Sequence, residues 1–419
     1  MPQLRKYNQI RIFQATDWYP PPLTGGRDLH VRMLAHELVA RGHEVEVITL
    51  ARSGAAGTEM DGDIPVHRID GWNRLLNRFY EHPERPFHPP VPDPGVVHSL
   101  VNLIQERRPD VVHAHSWILH SLLHFLPSQR TRLVFTMHDY GVICPKFTFV
   151  HKGGVCGGPE FVKCVVCASE QYGAIPSAAL TSGLIITRRS RRRVDRYIAV
   201  STPVARACAS VSVGSNIEVI PPFVSDDSLR RNDAIRPAFL PAEGDFVMFA
   251  GALGPHKGID VLLEAWQGLD SAIPLVLVGL RRHDTPREFP KGVIVAEDVP
   301  HGDVLDAWMH CAVAIVPSIW PDPHPLVAIE AMAAGRPVIA SAIGGLTDIV
   351  EDGVTGVLVP PGDALTLRTS IAQILADPQQ RVAMGLAARE RAARYSAAIV
   401  VPQIERVYRE VVANPPPRS

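Results

Sequence analysis

The alternation of short apolar segments with amphipathic segments along almost the whole chain most constrains the fold. Apolar segments such as Glu44–Leu50 and Arg132–His138 are nearly continuous in hydrophobic residues, as is typical of parallel strands covered on both faces. Stretches with helical spacing, such as Asp28–Arg41, lie between them. The alternation therefore predicts an α/β protein with two doubly wound parallel sheets.

The same pattern places the predicted strands and the boundary between the two halves. The boundary lies in Pro221–Gly244, which is rich in Pro, Asp and Arg and has weak apolar periodicity. The predicted strands are Gln9–Thr16, Glu44–Leu50, Val66–Ile69, Asp110–His115, Arg132–His138, Tyr197–Ser201 and Ile217–Ile220, followed by Asp245–Gly251, Pro274–Gly279, Val293–Glu297, Ala312–Pro317, Pro337–Ala340 and Gly356–Val359.

Composition narrows the class of protein further. The chain has 419 residues, 46% of them hydrophobic, and a net charge of −1, which excludes wholesale disorder and a surface that is basic throughout. The sequence contains no apolar run long enough for a membrane span, and six cysteines in so long a chain do not make a disulfide scaffold. The first residues contain no apolar h-region, so we expect no secretory signal. We expect a cytoplasmic protein.

The most informative motif is the Pro-rich segment PDPHPLVAIEAMAAG at residues 321–335. It follows a predicted strand, and Pro325 suits the first position of a helix, whose free backbone N–H groups could bind a diphosphate. Glu330 lies early in that helix, where its carboxylate could accept two hydrogen bonds from a ribose diol, and Asp322 precedes it in the loop. The alternative is that Glu330 only stabilises the helix dipole.

Two other loops that follow predicted strands carry candidate anion-binding groups. Lys257, one of only six lysines, stands before a predicted helix, where its charge could neutralise a leaving diphosphate; a solvated loop lysine is the alternative. Gly25 and Gly26 begin the first predicted helix, where the backbone could approach a sugar or an anion closely, or could serve only as a turn.

Histidines are concentrated at the ends of predicted strands of the first half. His113 and His115 end one strand, and His138 with Asp139 ends the next. The carboxyl ends of strands face the ligand crevice in a doubly wound sheet. These imidazoles are therefore candidates to bind a sugar hydroxyl or a phosphate oxygen.

Taken together, these segments resemble the retaining glycosyltransferases of family 4. The resemblance runs over most of the chain through PPLTGG, VVHAHS, TMHDY, FAGALGPHKG and PDPHPLVAIEAMAAG, with Asp322 in place of the family's usual first Glu. It implies the GT-B architecture, in which two Rossmann-like domains face a central cleft. The implied parts are an acceptor-binding domain (1–225, with a Cys-rich insertion at 144–167), a nucleotide-sugar-binding domain (226–395) and a C-terminal helix that packs back on the first domain, with a disordered tail (396–419).

The resemblance also implies roles for individual residues. The nucleotide-sugar donor would contact Lys257, Asp322, His324, Pro325, Leu326 and Glu330. His138 would contact the transferred sugar, and Gly25 and Gly26 would line the cleft for phosphate and acceptor. His138, Lys257, Asp322 and Glu330 form the implied catalytic set, with no catalytic divalent metal. The family usually has Arg where this chain has Ala252, so Lys257 would carry the phosphate charge, helped by His256, Arg281 or Arg282.

Four of the six cysteines fall within one short segment. Cys164 and Cys167 have the C-x2-C spacing of half a tetrahedral zinc site, in what the sequence suggests is a Gly-rich loop. Cys144 and Cys156 could complete the ligand set. The pattern predicts a structural zinc ion that orders this loop, and free thiols or disulfides are the alternatives.

Two charged motifs could mark further partners. Arg188–Arg196 holds six arginines after an apolar stretch, and could rest on an anionic membrane surface at the inner face of the membrane; a solvated helix face is the alternative. Asp61-Gly62-Asp63 is a D-x-D motif, which other glycosyltransferase folds use for a metal-bound donor, but we expect only a turn here.

The sequence thus predicts an enzyme that transfers a sugar, with retention, from a nucleoside diphosphate sugar to a hydroxyl acceptor on a sugar, a lipid-linked glycan or a natural product. The base of the donor stays open among uridine, guanosine and thymidine. The alternatives are a catalytically silent sugar-nucleotide-binding partner protein and a sugar-nucleotide epimerase of the same fold.

Overall fold

The computed structural model describes residues 9–21, 25–52, 56–72, 87–123, 131–212, 216–231, 233–269 and 273–414. The chain divides into two compact units. The first comprises Met1–Ile220 together with Val401–Ser419, and the second comprises Pro221–Val400.

The first unit is built on a sheet whose strands run in the order β10-β9-β6-β5-β1-β2-β4-β3. All neighbours pair in parallel except β3, which is antiparallel to β4. The strands of this unit, with the separate hairpin β7–β8, are β1 (Arg11–Thr16), β2 (Glu44–Leu50), β3 (Gly57–Asp61), β4 (Ile64–Ile69), β5 (Val111–Ala114), β6 (Arg132–Met137), β7 (Val150–His151), β8 (Gly154–Val155), β9 (Arg196–Ala199) and β10 (Ile217–Val219).

Helices connect these strands. They are α1 (Gly26–Ala40), α2 (Pro94–Arg107), α3 (Leu119–Leu122), α4 (Phe161–Tyr172), α5 (Ala174–Ile186) and α6 (Thr202–Ser212). Local chemistry fixes where α2 begins: Pro94 occupies its first turn, and the Asp93 carboxylate accepts hydrogen bonds from the backbone N–H groups of Gly95 and Val96, as a good N-cap does. The helices cover the sheet and enclose a core that runs from Phe13 to Cys208.

The second unit holds a fully parallel sheet in the order β13-β12-β11-β14-β15-β16. Its elements are α7 (Asp226–Arg230), β11 (Val247–Ala250), α8 (Ile259–Gln267), β12 (Leu275–Val278), β13 (Val293–Ala296), α9 (His301–Trp308), β14 (Val313–Val316), α10 (Leu326–Ala333), β15 (Val338–Ser341), α11 (Leu346–Ile349), β16 (Gly356–Val359), α12 (Ala364–Ala376) and α13 (Pro378–Ala392). Two apolar layers, one on each face of the sheet, form its core.

The last helix, α14 (Ala397–Ala413), leaves the second unit and, from Val401 onward, belongs to the first. Its contacts in the first unit are specific: Glu405 accepts a hydrogen bond from His43 Nε2 at 2.8 Å, and Arg196 pairs with Glu410 at 3.4 Å. The predicted tail at Pro415–Pro417 lies outside the described residues.

The predicted doubly wound α/β architecture is confirmed, and the bounds of Glu44–Leu50 and Gly356–Val359 are observed as predicted. Three strands were missed: β3 (GTEMD) is mostly exposed and polar, so it carries no apolar run, and β7 and β8 have only two residues each. The Cys-rich segment is also not the predicted loop throughout, because residues 161–186 form α4 and α5, which pack against each other as a helical hairpin.

Each sheet has a point where the strand order reverses. In the first unit this switch point lies between β1 and β5, and in the second between β11 and β14. Ligands of doubly wound folds bind outside the carboxyl ends of the strands at such points. Along the part of the chain that the structure describes, no helix is both long and apolar enough to cross a membrane.

Glycine is required where the loop after β11 meets the end of β14. Gly258 has φ +77°, and a Cβ placed there would lie 1.9 Å from the Pro317 carbonyl oxygen. We expect Gly258→Ala to destabilise the protein by more than the about 1–2 kcal/mol that the left-handed backbone alone would cost, because the clash is added to it. Urea unfolding of Gly353→Ala provides the control, since Gly353 has φ +74° and a Cβ there would meet no atom within 4 Å. Equal losses in the two variants would contradict the prediction.

Candidate active site

The structure brings Lys257 and Asp322 together at the switch point of the second sheet. Lys257 follows β11 and Asp322 follows β14, and Lys257 Nζ lies 2.5 Å from Asp322 Oδ2. The ammonium also lies 5.4 Å from the centre of the Trp320 ring, within reach of a cation–π interaction. Asp322 is buried, so the ion pair is held in a fixed position at the carboxyl edge of the sheet.

Glu330 is held on α10 by a histidine that the sequence patterns did not single out. His301, the first residue of α9, places Nε2 2.9 Å from Glu330 Oε1. The hydrogen bond to Glu330 raises the pKa of His301 above its ordinary value, against the effect of burial. Glu330 itself is buried, so its carboxylate has a defined direction rather than a solvated range of positions.

The backbone at Gly344 packs tightly against the loop between β14 and α10. Gly344 has φ +58°, and a Cβ there would lie 2.4 Å from the Asp322 carbonyl oxygen. The first turn of α10 follows Pro325, so the N–H groups of Leu326 and Val327 have no acceptor within the helix. The ring of His324 packs against that of Tyr395, with 5.5 Å between the two ring centres.

Two more donors of this loop are buried. Ser318 Oγ and Trp320 Nε1 have no hydrogen-bond partner among the described residues. Unsatisfied buried donors are rare in folded proteins, so these two groups are candidates to donate hydrogen bonds to a ligand. They lie between Pro317 and Asp322, in the segment that carries the acidic residue of the pair.

The region around Ala252 shows which cations stand near the loop after β11. Arg281 Nε donates to Glu297 Oε1 at 2.8 Å, so its charge is already paired. Arg282 passes over Gly254, where a Cβ would lie 3.0 Å from Arg282 Cδ. Burial, followed by the charges of Lys257 and Arg282, lowers the pKa of His256 to about 4, so His256 is neutral at pH 7.

In the first unit the predicted strand-end histidines form one buried network. His115 Nδ1 lies 2.9 Å from His138 Nε2, and His115 Nε2 lies 2.5 Å from Gln14 Oε1. Gln14 Nε2 donates to the Tyr408 hydroxyl at 3.3 Å, and that hydroxyl lies 2.6 Å from His113 Nδ1. Burial lowers the pKa values of His113, to about 3, and of His115 and His138, so that all three are neutral.

One assignment of protons satisfies all these contacts. Gln14 Oε1 can only accept, so His115 Nε2 carries the proton and His115 Nδ1 accepts from His138 Nε2. On the other side, the Tyr408 hydroxyl accepts from Gln14 and donates to His113. His138 therefore carries its proton on Nε2, and its Nδ1 is left with a lone pair that can accept a hydrogen bond.

Charged residues surround His138 at the same edge. Arg27, in the first turn of α1, lies 3.4 Å from Asp28 and 3.9 Å from Asp139. Burial raises the pKa of Asp139, although the charge of Arg27 opposes the rise. Gly25, just before α1, has extended backbone, and no atom of the described residues lies within 4 Å of a Cβ position there. Pro22–Thr24 of the same motif lie outside the described residues.

The predicted zinc site is not supported. Among the described residues, no three His, Cys, Asp or Glu side chains are arranged to hold a metal ion. The thiols make other contacts: Cys156 Sγ donates to Gly158 O and Cys167 Sγ to Val150 O, while burial raises the pKa of Cys144 to about 11. Burial thus favours the neutral thiol of Cys144, whereas zinc binds thiolates.

In both charged motifs, Arg188–Arg196 and Asp61-Gly62-Asp63, some of the charged side chains are buried or paired within the protein. Arg191 is buried and Arg196 pairs with Glu218 and Glu410, so the surface cations of this segment are Arg188, Arg189, Arg192 and Arg193. In the D-x-D motif, Asp61 accepts hydrogen bonds from Arg32 and Tyr19. The Arg32 contacts hold the pKa of Asp61 well below its usual range, and the carboxylate has a structural role in the turn before β4.

Two doubly wound α/β units, each with charged and hydrogen-bonding groups at its switch point, agree with the GT-B architecture. The family comparison agrees: residues 24–228 match the family described as Glycosyltransferase Family 4, and residues 231–391 match Glycosyl transferases group 1. Together the two matches cover most of the chain, and the chain belongs to glycosyltransferase family 4.

Related sequences have the same general assignment. The chain is 28% identical over 391 residues to a D-inositol 3-phosphate glycosyltransferase of Xylanimonas cellulosilytica, a match that covers 88% of each chain. It is 34% identical over 239 residues to a phosphatidyl-myo-inositol mannosyltransferase of Mycobacterium leprae, with 55% of this chain and 63% of that one covered.

Solved structures share the fold. Sucrose-phosphate synthase from Thermosynechococcus elongatus matches with a TM-score of 0.72 and 22% identity, over 96% of this chain and 99% of that one. The Anabaena protein HepE in complex with UDP-glucose matches with a TM-score of 0.67 and 19% identity, over 96% and 99%.

Sequence reasoning missed His301, Gln14, Arg27 and Tyr408. Gln14 did leave a signal, since it is a polar residue inside an otherwise apolar strand. His301 and Tyr408 left none, because each meets its partner only through the fold; Tyr408 and His113 are 295 positions apart.

The His301–Glu330 pair predicts a stability difference that depends on pH. Because the folded state raises the pKa of His301, the pair stabilises the protein below the ordinary pKa of histidine, and this stabilisation is lost as the pH rises through the raised value. We expect His301→Gln to lower the melting temperature more at pH 5.5 than at pH 8.5, modestly, since the side chain is 41% exposed. His98→Gln, on the exposed face of α2, is the control, and a loss from His301→Gln that is the same at both pH values would contradict the prediction.

The Tyr408 hydroxyl predicts a second effect on stability. Tyr408→Phe leaves Gln14 Nε2 and His113 Nδ1 buried without a partner, so we expect a loss of about 1–3 kcal/mol in the free energy of unfolding. Tyr395→Phe should cost no more than about 1 kcal/mol, because that hydroxyl donates a long hydrogen bond of 3.3 Å to Asp348 O. Urea unfolding checks both, and a Tyr408→Phe variant as stable as Tyr395→Phe would exclude the network as described.

Proposed function

We propose that this glycosyltransferase transfers a hexose from a nucleoside diphosphate sugar to a hydroxyl acceptor with retention of anomeric configuration. The observation that carries the proposal is the Lys257–Asp322 pair at the switch point between β11 and β14, with buried Glu330 on the helix that follows. A cation, free helical N–H groups and a buried carboxylate are the groups that a diphosphate and a ribose require.

The donor would bind the second unit. Glu330 accepts hydrogen bonds from the ribose hydroxyls in place of His301, and the diphosphate lies against Lys257 and the backbone of Pro325 and Leu326. Lys257 then leaves Asp322 for the diphosphate, and Asp322 with the Pro323–His324 backbone faces the sugar. The buried donors Ser318 Oγ and Trp320 Nε1 would gain partners from the same ligand.

The first unit would bind the acceptor, in a cleft lined by Gly25 and Gly26. His138, fixed as the Nε2–H form by His115, contacts the transferred sugar through its Nδ1 lone pair. This geometry supports a role for His138 in sugar binding, since a neutral imidazole of lowered pKa does not carry a charge to the reaction.

Without a covalent glycosyl-enzyme intermediate, retention requires attack and departure on the same face of the sugar. The acceptor oxygen bonds to the anomeric carbon as the bond to the diphosphate oxygen breaks, and the leaving diphosphate takes the acceptor proton. Lys257 neutralises the negative charge that develops on the diphosphate. Such electrostatic stabilisation of the transition state is usually the largest single contribution of a protein to catalysis. The base of the donor is left open; the UDP-glucose bound to HepE supports a UDP-sugar as the first to test.

The names of the relatives indicate which acceptors to test first. Inositol phosphate and phosphatidyl-inositol appear in the names of relatives at 28% and 34% identity, which supports a polyol or a lipid-linked acceptor in glycan biosynthesis. All six cysteines are free thiols, which suits a cytoplasmic enzyme. The competing function is a silent sugar-nucleotide-binding protein, which Ala252 favours because it removes a guanidinium from the phosphate site.

A thermal-shift screen against nucleoside diphosphates and their sugars, followed by transfer assays, tests the proposal. A ligand that binds only the folded protein raises its melting temperature, and we expect one diphosphate sugar to do so and to be turned over. Glu330→Gln should weaken donor binding and lower turnover by about tenfold or more, because it loses a charge-assisted hydrogen bond worth about 1.5–3 kcal/mol. The shift in melting temperature at a given donor concentration should fall accordingly.

The matched control is Glu264→Gln, an exposed carboxylate on α8, which should leave both readouts unchanged. Binding without transfer or hydrolysis over many acceptors would favour the silent binder. The absence of any shift across the panel would reject both functions for the site.

A further inference from the structure

The segment between β6 and β9 contains a cavity that the transfer reaction does not use. It has a volume of about 210 Å³ and lies between the loop after β6, the start of α4 and the end of α5; we call it the insertion pocket. Its walls include Val142, Ile143 and Leu184. An apolar cavity of about 150 Å³ already holds a molecule the size of benzene, so the insertion pocket can hold a small group with several carbon atoms.

The floor of the insertion pocket carries a cation with no anionic partner among the described residues. Arg191 is 1% exposed, and its two terminal nitrogens donate to the carbonyl oxygens of Val142 and Leu184 at 2.5 and 2.7 Å. These carbonyls satisfy hydrogen bonds but do not neutralise charge. Burial accordingly lowers the pKa of Arg191 to about 10, which leaves it charged at pH 7.

Two polar atoms of the pocket residues are buried without partners in the described part of the chain. They are Arg191 Nε and Thr181 Oγ1, on residues that both line the pocket. Glu160, the carboxylate that the described lining contains, lies on an exposed residue rather than at the floor. A buried, uncompensated charge is costly, and a bound anion would offset that cost.

The mouth of the insertion pocket is apolar and exposed. Phe161 and Ile185 line it and are 46% and 53% exposed, and Ile186 beside them is 72% exposed. The exposed arginines Arg188 and Arg189 follow directly. Large exposed hydrophobic side chains next to cations are typical of surfaces that meet anionic lipid.

We propose that the insertion pocket binds an anionic lipid whose phosphate is attached directly to a hydrocarbon chain. The phosphate pairs with Arg191 and accepts a hydrogen bond from Thr181 at the floor. The first carbons contact Val142, Ile143 and Leu184, and the chain leaves over Phe161 and Ile185. The charge of the floor selects the phosphate, and the apolar wall and mouth select the chain.

This site does not depend on the proposed transfer reaction, so binding is measured without donor or acceptor. The probes for the full-length protein are octyl phosphate, inorganic phosphate and octyl glucoside, each below its critical micelle concentration. We expect octyl phosphate to raise the melting temperature with saturation, and the other two to give little shift because each lacks half of the recognised group.

The variants locate the ligand. Thr181→Val keeps the shape of the side chain and removes the hydroxyl, and Ile185→Ser removes apolar area at the exposed mouth, so neither threatens the fold. Each should weaken octyl phosphate binding by about tenfold, the equivalent of one hydrogen bond or one buried apolar group. The controls are Arg206→Ser and Leu365→Ser, exposed residues elsewhere on the chain, which should bind octyl phosphate as the unaltered protein does.

A second measurement uses vesicles. The protein should co-sediment with phosphatidylcholine vesicles that contain hexadecyl phosphate and not with phosphatidylcholine alone, and Ile185→Ser should reduce the bound fraction. An equal shift with inorganic phosphate would reduce the site to a simple anion site, and an equal shift with octyl glucoside to a simple apolar one. Either of these results would overturn the proposal. The proposal would also be overturned if octyl phosphate gave no shift, or if Thr181→Val and Ile185→Ser both bound it as the unaltered protein does.

Discussion

The structure depends on the need to bury both faces of a parallel sheet. Strands covered on both sides must be apolar, and the crossover between two parallel strands must pass over a face of the sheet, usually as a helix. Polar groups are therefore excluded from the strands and collect where the strands end. That single constraint places Lys257 after β11, Asp322 after β14 and His138 after β6, at the carboxyl edges of the two sheets.

The exceptions to this rule carry information. Gln14 and His113 lie inside strands and are fully buried, yet their side chains are hydrogen-bonded through Tyr408 from the last helix. Burying such groups without partners would be costly, so the network and the position of α14 are mutually required. The result is a neutral His138 with a fixed tautomer. Arg191, in contrast, has hydrogen-bond partners at its two terminal nitrogens but no counter-charge among the described residues.

Much of the fold could be predicted because the hydrophobic period and the apolarity of a segment are properties of neighbouring residues. Each predicted strand was found to within a few residues, and the loops at the switch points followed from these strands. Residues 161–167 were not found as part of a helix, because the glycines and cysteines of 151–167 suggested a loop, whereas packing of α4 against α5 stabilises the helical form. The zinc prediction had the right spacing, but spacing along the chain does not fix where Cys144 and Cys156 point.

The sequence by itself determined the α/β class, the two halves and the residue types that stand at the strand ends, since each follows from residues near one another in the chain. Only the tertiary structure decided which of these residues meet. Lys257 pairs with Asp322 across 65 positions, and Glu330 pairs with His301 rather than with solvent. Hydrogen bonds and ion pairs act over a few ångströms, so their partners are set by how the helices and loops pack.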